Sequence, residues 1–303
     1  MKVANRINHD PESRGTRDFE PGLSTFVEAG GAKLHFVSKG SGRPVVLIHG
    51  NPGSCLDWAE VLVPLAERYH AIAFDRPGHG HSDRPVDTSS LTVEKQAELL
   101  QQGLTNFQIT KPILVGHSWG AALALVYALL YPSEVSGIAL VAPAVYESND
   151  GVSFLSKLPA WPVVGNLLNS LFTPFLADWL VRSDLTKAFA PDKVPPNYLR
   201  HSLREWTKPA KVKWYSVDDA LLNESLALFA PRYTDLKVPI AVVTGDSDQI
   251  VPAKENAFRF HELVTQSDLR LLEQTGHQIP LTRPQAVLDA IDQVAAVANT
   301  SKA

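Results

Sequence analysis

Cysteine is almost absent from the 303 residues: there is one, Cys55. A lone thiol excludes an internal disulfide and fits a reducing compartment, so a cytoplasmic protein is expected. An excess of positive charge is absent too. Lys and Arg number 28 against 32 Asp and Glu, a formal charge of −4, so no basic field points to nucleic acid. Long apolar runs are also lacking. The longest, Ala121 to Tyr131 and Gly137 to Val145, fall short of the roughly 20 residues a membrane-spanning helix needs, so no stable membrane insertion is expected. Residues 1–22 are polar, have no apolar h-region, and read as a loose tail without a secretory signal. No internal repeat or low-complexity stretch stands out. What remains is 45% apolar and 20% charged, the balance of a globular chain long enough for a sizeable core.

Ser24 to Glu28 and Lys33 to Lys39 alternate around Ala29-Gly30-Gly31-Ala32, a hairpin signal. Val45 to Ile48 is a continuous aliphatic run, the mark of a strand buried on both faces of a parallel sheet. Helix to about Arg68, strand Ala71 to Phe74 and helix Thr92 to Leu104 follow. Strands Pro112 to Val115 and Gly137 to Val141 enclose the helical run Ala121 to Leu130. From Tyr146 to Tyr233 this rhythm stops; helical stripes and prolines take over. It resumes with strand Pro239 to Thr244, helix Pro252 to Val264, strand Leu269 to Glu273 and helix Arg283 to Val297. The pattern predicts an α/β fold with a doubly wound, mostly parallel sheet. Its core is residues 23–145 and 234–303, interrupted by a helical lid over 146–233.

Gly116-His117-Ser118-Trp119-Gly120 lies where a strand turns sharply into a helix, with the G-x-S-x-G spacing. The spacing alone also suits a helix N-cap serine. A serine hydroxyl is a poor nucleophile near neutral pH. It needs a base, an acid to orient the base, and donors for the oxyanion. Candidates occupy late loops: Asp246 and Asp248 after one strand, His277 after the next.

Five motifs together carry a family resemblance. They are His49-Gly50-Asn51-Pro52-Gly53, Asp75-Arg76-Pro77-Gly78-His79-Gly80-His81-Ser82, Gly116 to Gly120, Gly245-Asp246-Ser247-Asp248, and Gly276-His277. With them the chain resembles the α/β-hydrolase superfamily, in its serine-nucleophile esterase or haloperoxidase-like branch. The resemblance implies Ser118 as nucleophile, His277 as general base and acid, and Asp248 as orienting carboxylate. Asp248 is preferred to Asp246 because the family's acid usually stands three residues after the glycine, before an aliphatic-Pro pair, here Val251-Pro252. Glu147 is a third, weaker candidate. The oxyanion donors implied are the backbone N–H groups of Asn51 and Trp119.

Asn51 and Trp119 also stand where dehalogenating relatives hold the leaving halide with Asn and Trp side chains. Those relatives use an aspartate in place of Ser118. A serine attacking sp³ carbon would leave an ether that the site could not cleave, so Ser118 requires an acyl carbon. Epoxide opening fails by the same argument. The side chains of Asn51 and Trp119, with Tyr146 and Trp161 of the lid, are expected against substrate, the first two also as a weak halide site. Leu158 to Val181 holds many large apolar side chains, but its prolines exclude a membrane span. Between Tyr198 and Tyr215 five cations interleave with Trp206 and Trp214; Leu199, Leu203 and Trp206 form the buried stripe, leaving the charges on a solvated face. No metal and no organic cofactor are expected, His79 and His81 lacking partners at ligand spacing. The function expected is hydrolysis of a small-molecule carboxylic ester through an acyl-enzyme. Perhydrolysis or carbon–carbon bond hydrolysis by the same triad, and a ligand-binding receptor on this fold, are the alternatives.

Overall fold

The computed structural model describes residues 24–85, 91–148 and 178–300. An eight-stranded sheet is its centre. The strands are β1 (Ser24–Ala29), β2 (Ala32–Lys39), β3 (Pro44–Ile48), β4 (His70–Phe74), β5 (Ile113–His117), β6 (Gly137–Val141), β7 (Ile240–Gly245) and β8 (Ser267–Leu272). They lie in the order β1-β2-β4-β3-β5-β6-β7-β8. β1 and β2 pair antiparallel, as do β2 and β4; every later pair is parallel.

Successive residues of a strand face opposite sides of the sheet. The central strands are apolar at almost every position, His117 and Thr244 near their carboxyl ends excepted, because both sides are covered. Val46, Ile48, Leu114, Leu140 and Val242 pack into one core, Val45, Leu47, Val115, Val141 and Val243 into the other. Helices α1 (Ala59–Leu65), α2 (Val93–Asn106) and α3 (Trp119–Leu130) follow β3, β4 and β5. α2 and α3 cover the first face; α1 shares the second with the last helix of the chain. α3 is buried on all sides except at Leu130, which suits its sequence of alanines and leucines.

Between β6 and β7 the described residues form helices and no strand: α4 (178–189), α5 (Pro196–Trp206) and α6 (Pro209–Phe229). Their own small core holds Val181, Leu185, Phe189, Tyr198, Trp206 and Tyr215, with Leu199 and Leu203 packed against it. The predicted stripe is therefore the buried one. One cation departs from the solvated face: Lys211 turns inward and its Nζ donates to the carbonyls of Gly78 (2.8 Å) and Gly80 (3.1 Å). After β7 come α7 (Arg259–Leu263), α8 (Ile279–Thr282) and α9 (Pro284–Thr300). Among the described residues no helix is long and apolar enough to cross a membrane.

Candidate active site

Because β3, β5, β7 and β8 run parallel, the loops at their carboxyl ends share one edge of the sheet. Ser118 stands at the end of β5 with φ 54° and ψ −121°, outside the regions a side chain ordinarily prefers. Two glycines permit that elbow. A Cβ at Gly116 would collide with the Gly120 carbonyl, and one at Gly120 with the carbonyls of Ile48 and His49. The first turn of α3 therefore seats directly on the end of β3.

Asp248 and His277 meet from successive loops after β7 and β8. The Asp248 Oδ2 lies 2.7 Å from His277 Nδ1, and its Oδ1 accepts the N–H groups of Ile250 and Val251, each at 2.8 Å. A carboxylate accepts, so the imidazole donates Nδ1–H and Nε2 keeps the lone pair. Asp246 takes another part: its Oδ1 accepts from Ser247 Oγ (2.8 Å) and the Thr275 N–H (3.3 Å), bracing the loop. Glu147 lines a different cavity.

Ser118 and His277 line one cavity of about 50 Å³ with Gly50 and Asn51 of the loop after β3. The segment between β6 and β7 contributes Asp184, Leu185, Ala188 and Trp206 to the same walls. Sequence reading missed these four, and His117, Ile250 and Gln278 with them. Trp206 sat on an apolar helical stripe, a signal that marks burial and not the direction faced. The His117 ring packs 4.8 Å from that of His277, and its Nε2 donates to the His277 carbonyl at 3.0 Å. Burial, and behind it the neighbouring His277, holds the pKa of His117 well below the ordinary value, so this second imidazole is neutral.

The loop after β3 is gripped from beneath. His49 Nδ1 donates to the Gly50 carbonyl (2.8 Å), and its Nε2 accepts the Arg76 N–H (3.0 Å). Burial, and then Arg76, lowers the His49 pKa to about 3, so it remains a neutral brace. The fully buried Arg76 donates to the same Gly50 carbonyl (3.0 Å), to Gln96 (3.2 Å) and to Asp218 (3.0 Å). Burial lowers its pKa to about 10 against the pull of Asp218, so it keeps its charge at neutral pH.

Two of the expected substrate contacts spend their side-chain protons elsewhere. Asn51 lines the cavity, but its Nδ2 donates to the Tyr215 carbonyl (2.9 Å) and to Asp219 Oδ1 (2.6 Å), spending both amide protons on α6. Trp119 is fully buried; its Nε1–H donates to the Asp218 carbonyl (3.2 Å), and Arg76 stacks on its ring at 3.8 Å. Neither side chain has a proton left for a halide, so the expected halide site is not formed. Tyr146 lines the separate cavity that also holds Glu147, with Arg259 3.8 Å over its ring. Trp161 lies outside the described residues.

Among the described residues, one trio brings three possible metal donors within 4.8 Å of one another: His35, Cys55 and Asp75. Asp75 is already saturated by the Cys55 N–H (2.6 Å), His35 Nδ1 (2.7 Å) and the His81 N–H (2.9 Å). Burial would raise its pKa, but the His35 hydrogen bond and the nearby imidazoles bring it below the ordinary value. Burial and Asp75 together push the Cys55 thiol well up, so the trio reads as a hydrogen-bonded brace for the Asp75 loop.

The family model for the alpha/beta hydrolase fold matches residues 43–284, and the chain belongs to that family. A soluble epoxide hydrolase from Corynebacterium sp. strain C12 is 24% identical over 86% of this chain and 92% of its own. A bifunctional epoxide hydrolase 2 from Sus scrofa is 32% identical, but the match spans 44% of this chain and 24% of that protein. Among solved structures, an alpha/beta hydrolase fold protein from Burkholderia ambifaria superposes with a TM-score of 0.76 at 22% identity, covering 89% of this chain and 97% of that one.

Proposed function

We propose that the protein is a serine hydrolase of carboxylic esters. The observation that carries the reading is the convergence of three loops: a serine on a strained elbow shares a cavity with an imidazole whose Nδ1 is 2.7 Å from a buried carboxylate. Ser118 Oγ attacks the ester carbonyl and His277 Nε2 takes its proton. Asp248 holds the imidazole in that tautomer and stabilises the imidazolium. The tetrahedral intermediate collapses as His277 protonates the departing alcohol. Water, deprotonated by His277, then attacks the acyl-enzyme and frees the acid.

Two backbone donors are proposed for the oxyanion. Trp119 opens α3, so its N–H has no acceptor within the helix. The Asn51 N–H belongs to the peptide whose carbonyl, that of Gly50, is pinned by His49 and Arg76. In a trans peptide N–H and C=O point opposite ways, so pinning the carbonyl fixes the donor. Each such donor contributes about 3–4 kcal/mol to transition-state stabilisation.

The helices between β6 and β7 act in this reading as a lid, since Leu185, Ala188 and Trp206 form part of the cavity. Epoxide opening, which the names of two relatives suggest, is not favoured. A serine alkylated by an epoxide becomes an ether, and an ether offers no carbonyl for water to attack. Ester turnover on p-nitrophenyl acetate, with labelling of Ser118 by a fluorophosphonate, tests the proposal. Ser118→Ala should lower turnover about a million-fold and Asp248→Asn about ten-thousand-fold, with folding intact. Retention of most esterase activity in Ser118→Ala would refute it.

A further inference from the structure

Beside the Ser118 cavity lies a larger one. The first holds about 50 Å³ and the second about 300 Å³, some six times more on the same measure. Gly50, Asn51 and Pro52 line the first; Gly53, Ser54 and Cys55 line the second, so successive stretches of one loop border the two. A single side chain, that of Trp206 at the end of α5, forms a wall of both. It is buried, and its ring meets Tyr198 edge-on at 6.0 Å.

A water-sized group needs roughly 10–15 Å³ of such space, so about four non-hydrogen atoms fill the cavity at Ser118. That is an acyl group of acetyl to butyryl length. The larger cavity has no reacting group from the proposed triad; Leu56, Cys55 and Tyr215 give it apolar surface on one part of a lining that also holds His35, Asp75, Arg204, Glu205 and Lys211.

We propose that Trp206 sets the acyl-chain limit of the Ser118 site, by closing it off from a second cavity that would otherwise take the chain beyond its fourth carbon. The inference rests on the serine hydrolase reading for its substrate class, short-chain esters. The wall itself is a property of shape and is testable without turnover. No other residue lines both cavities among the described residues, so this ring is the wall that the two share and the one to remove to join them. Each methylene then accommodated gains about fourfold in binding.

The experiment compares methyl esters from acetate to octanoate, followed by proton release, in the wild type, Trp206→Ala and Trp206→Phe. The ratio of kcat/KM for octanoate over butyrate should lie below 0.1 (roughly, a tenfold loss) in the wild type. It should rise about a hundredfold in Trp206→Ala and by less in Trp206→Phe, which keeps the ring packing on Tyr198 and serves if the alanine variant does not fold. A ratio unchanged within about threefold, in variants that still react with a small fluorophosphonate, overturns the proposal. The second arm uses Ser118→Ala with and without Trp206→Ala or Trp206→Phe, titrated calorimetrically with acetate and octanoate. The octanoate-to-acetate affinity ratio should rise about a hundredfold on removal of the ring, as for the esters. An equal ratio refutes the wall whatever the chemistry. A raised ratio in a protein that turns over no ester upholds the wall and removes the esterase reading instead.

Discussion

Asp57 is a buried carboxyl whose pKa is pushed from 3.8 to about 7 by burial, against the opposing hydrogen bonds of the Tyr198 hydroxyl and the Ser54 amide. Tyr198 belongs to α5, so this 2.9 Å bond ties the inserted helices to the loop after β3. Because the folded pKa exceeds the unfolded one, the native state holds a proton that the unfolded chain has lost between about pH 4 and pH 7. The Asp57 contribution is fully present below pH 4 and is lost as pH rises through 7. Urea unfolding at several pH values should show Asp57→Asn flattening the pH dependence across that window. An unchanged slope would show that the carboxyl is ionised throughout. Tyr198→Phe removes one buried hydrogen bond and should cost about 1–2 kcal/mol. At this scale the candidate triad was legible in the sequence, because each member sits in a short motif beside a strand end. The partners of Asn51 and Trp119 were not, because they come from α6, more than ninety positions away.

α6 is fastened to the core by charge. Asp218 accepts from Arg76 at 3.0 Å and pairs with Arg84 at 2.9 Å, all three side chains buried. Asp218→Ala leaves two guanidinium groups without their shared counter-charge and should destabilise the fold by about 3–5 kcal/mol. A lower midpoint in urea with an unchanged slope would register this. Arg76 also pins the Gly50 carbonyl, so the same variant should lower kcat more than it raises KM for a small ester. Equal kcat would mean that the loop holds its shape without α6. Strands and core helices could be read from the sequence because period and composition agree along them. Lys211 was misplaced on the solvated face because pattern cannot foresee a carbonyl pair, those of Gly78 and Gly80, arriving from another loop.

The whole molecule is built outward from β3, β5 and β6. Their residues from Val45, Ile113 and Gly137 onward are buried throughout, whereas β1 and β8 carry exposed positions at the sheet edges. Local opening costs least where few apolar contacts are lost. Hydrogen exchange should therefore be slowest for the amides of β3, β5 and β6 and fastest in β1 and β8. Uniform protection across the sheet would contradict this graded core. The inserted helices have a smaller core of their own and are fastened to the rest through Asp57, Asp218 and Asp219. They should exchange faster than the sheet but together, as one unit.

The amino-acid order alone determined the parallel sheet, the elbow at Ser118 and the sheet edge on which Asp248 and His277 would lie. Those features follow from local period, glycine placement and the rule that parallel strands end on one side. The tertiary structure alone decided which side chains face the cavity and which are spent elsewhere. Asn51 and Trp119 give their protons to α6, Tyr146 lines a separate cavity, and Trp206 stands between two. A helical stripe records that a residue is buried, but the partner it meets depends on how distant segments pack, and no local pattern carries that.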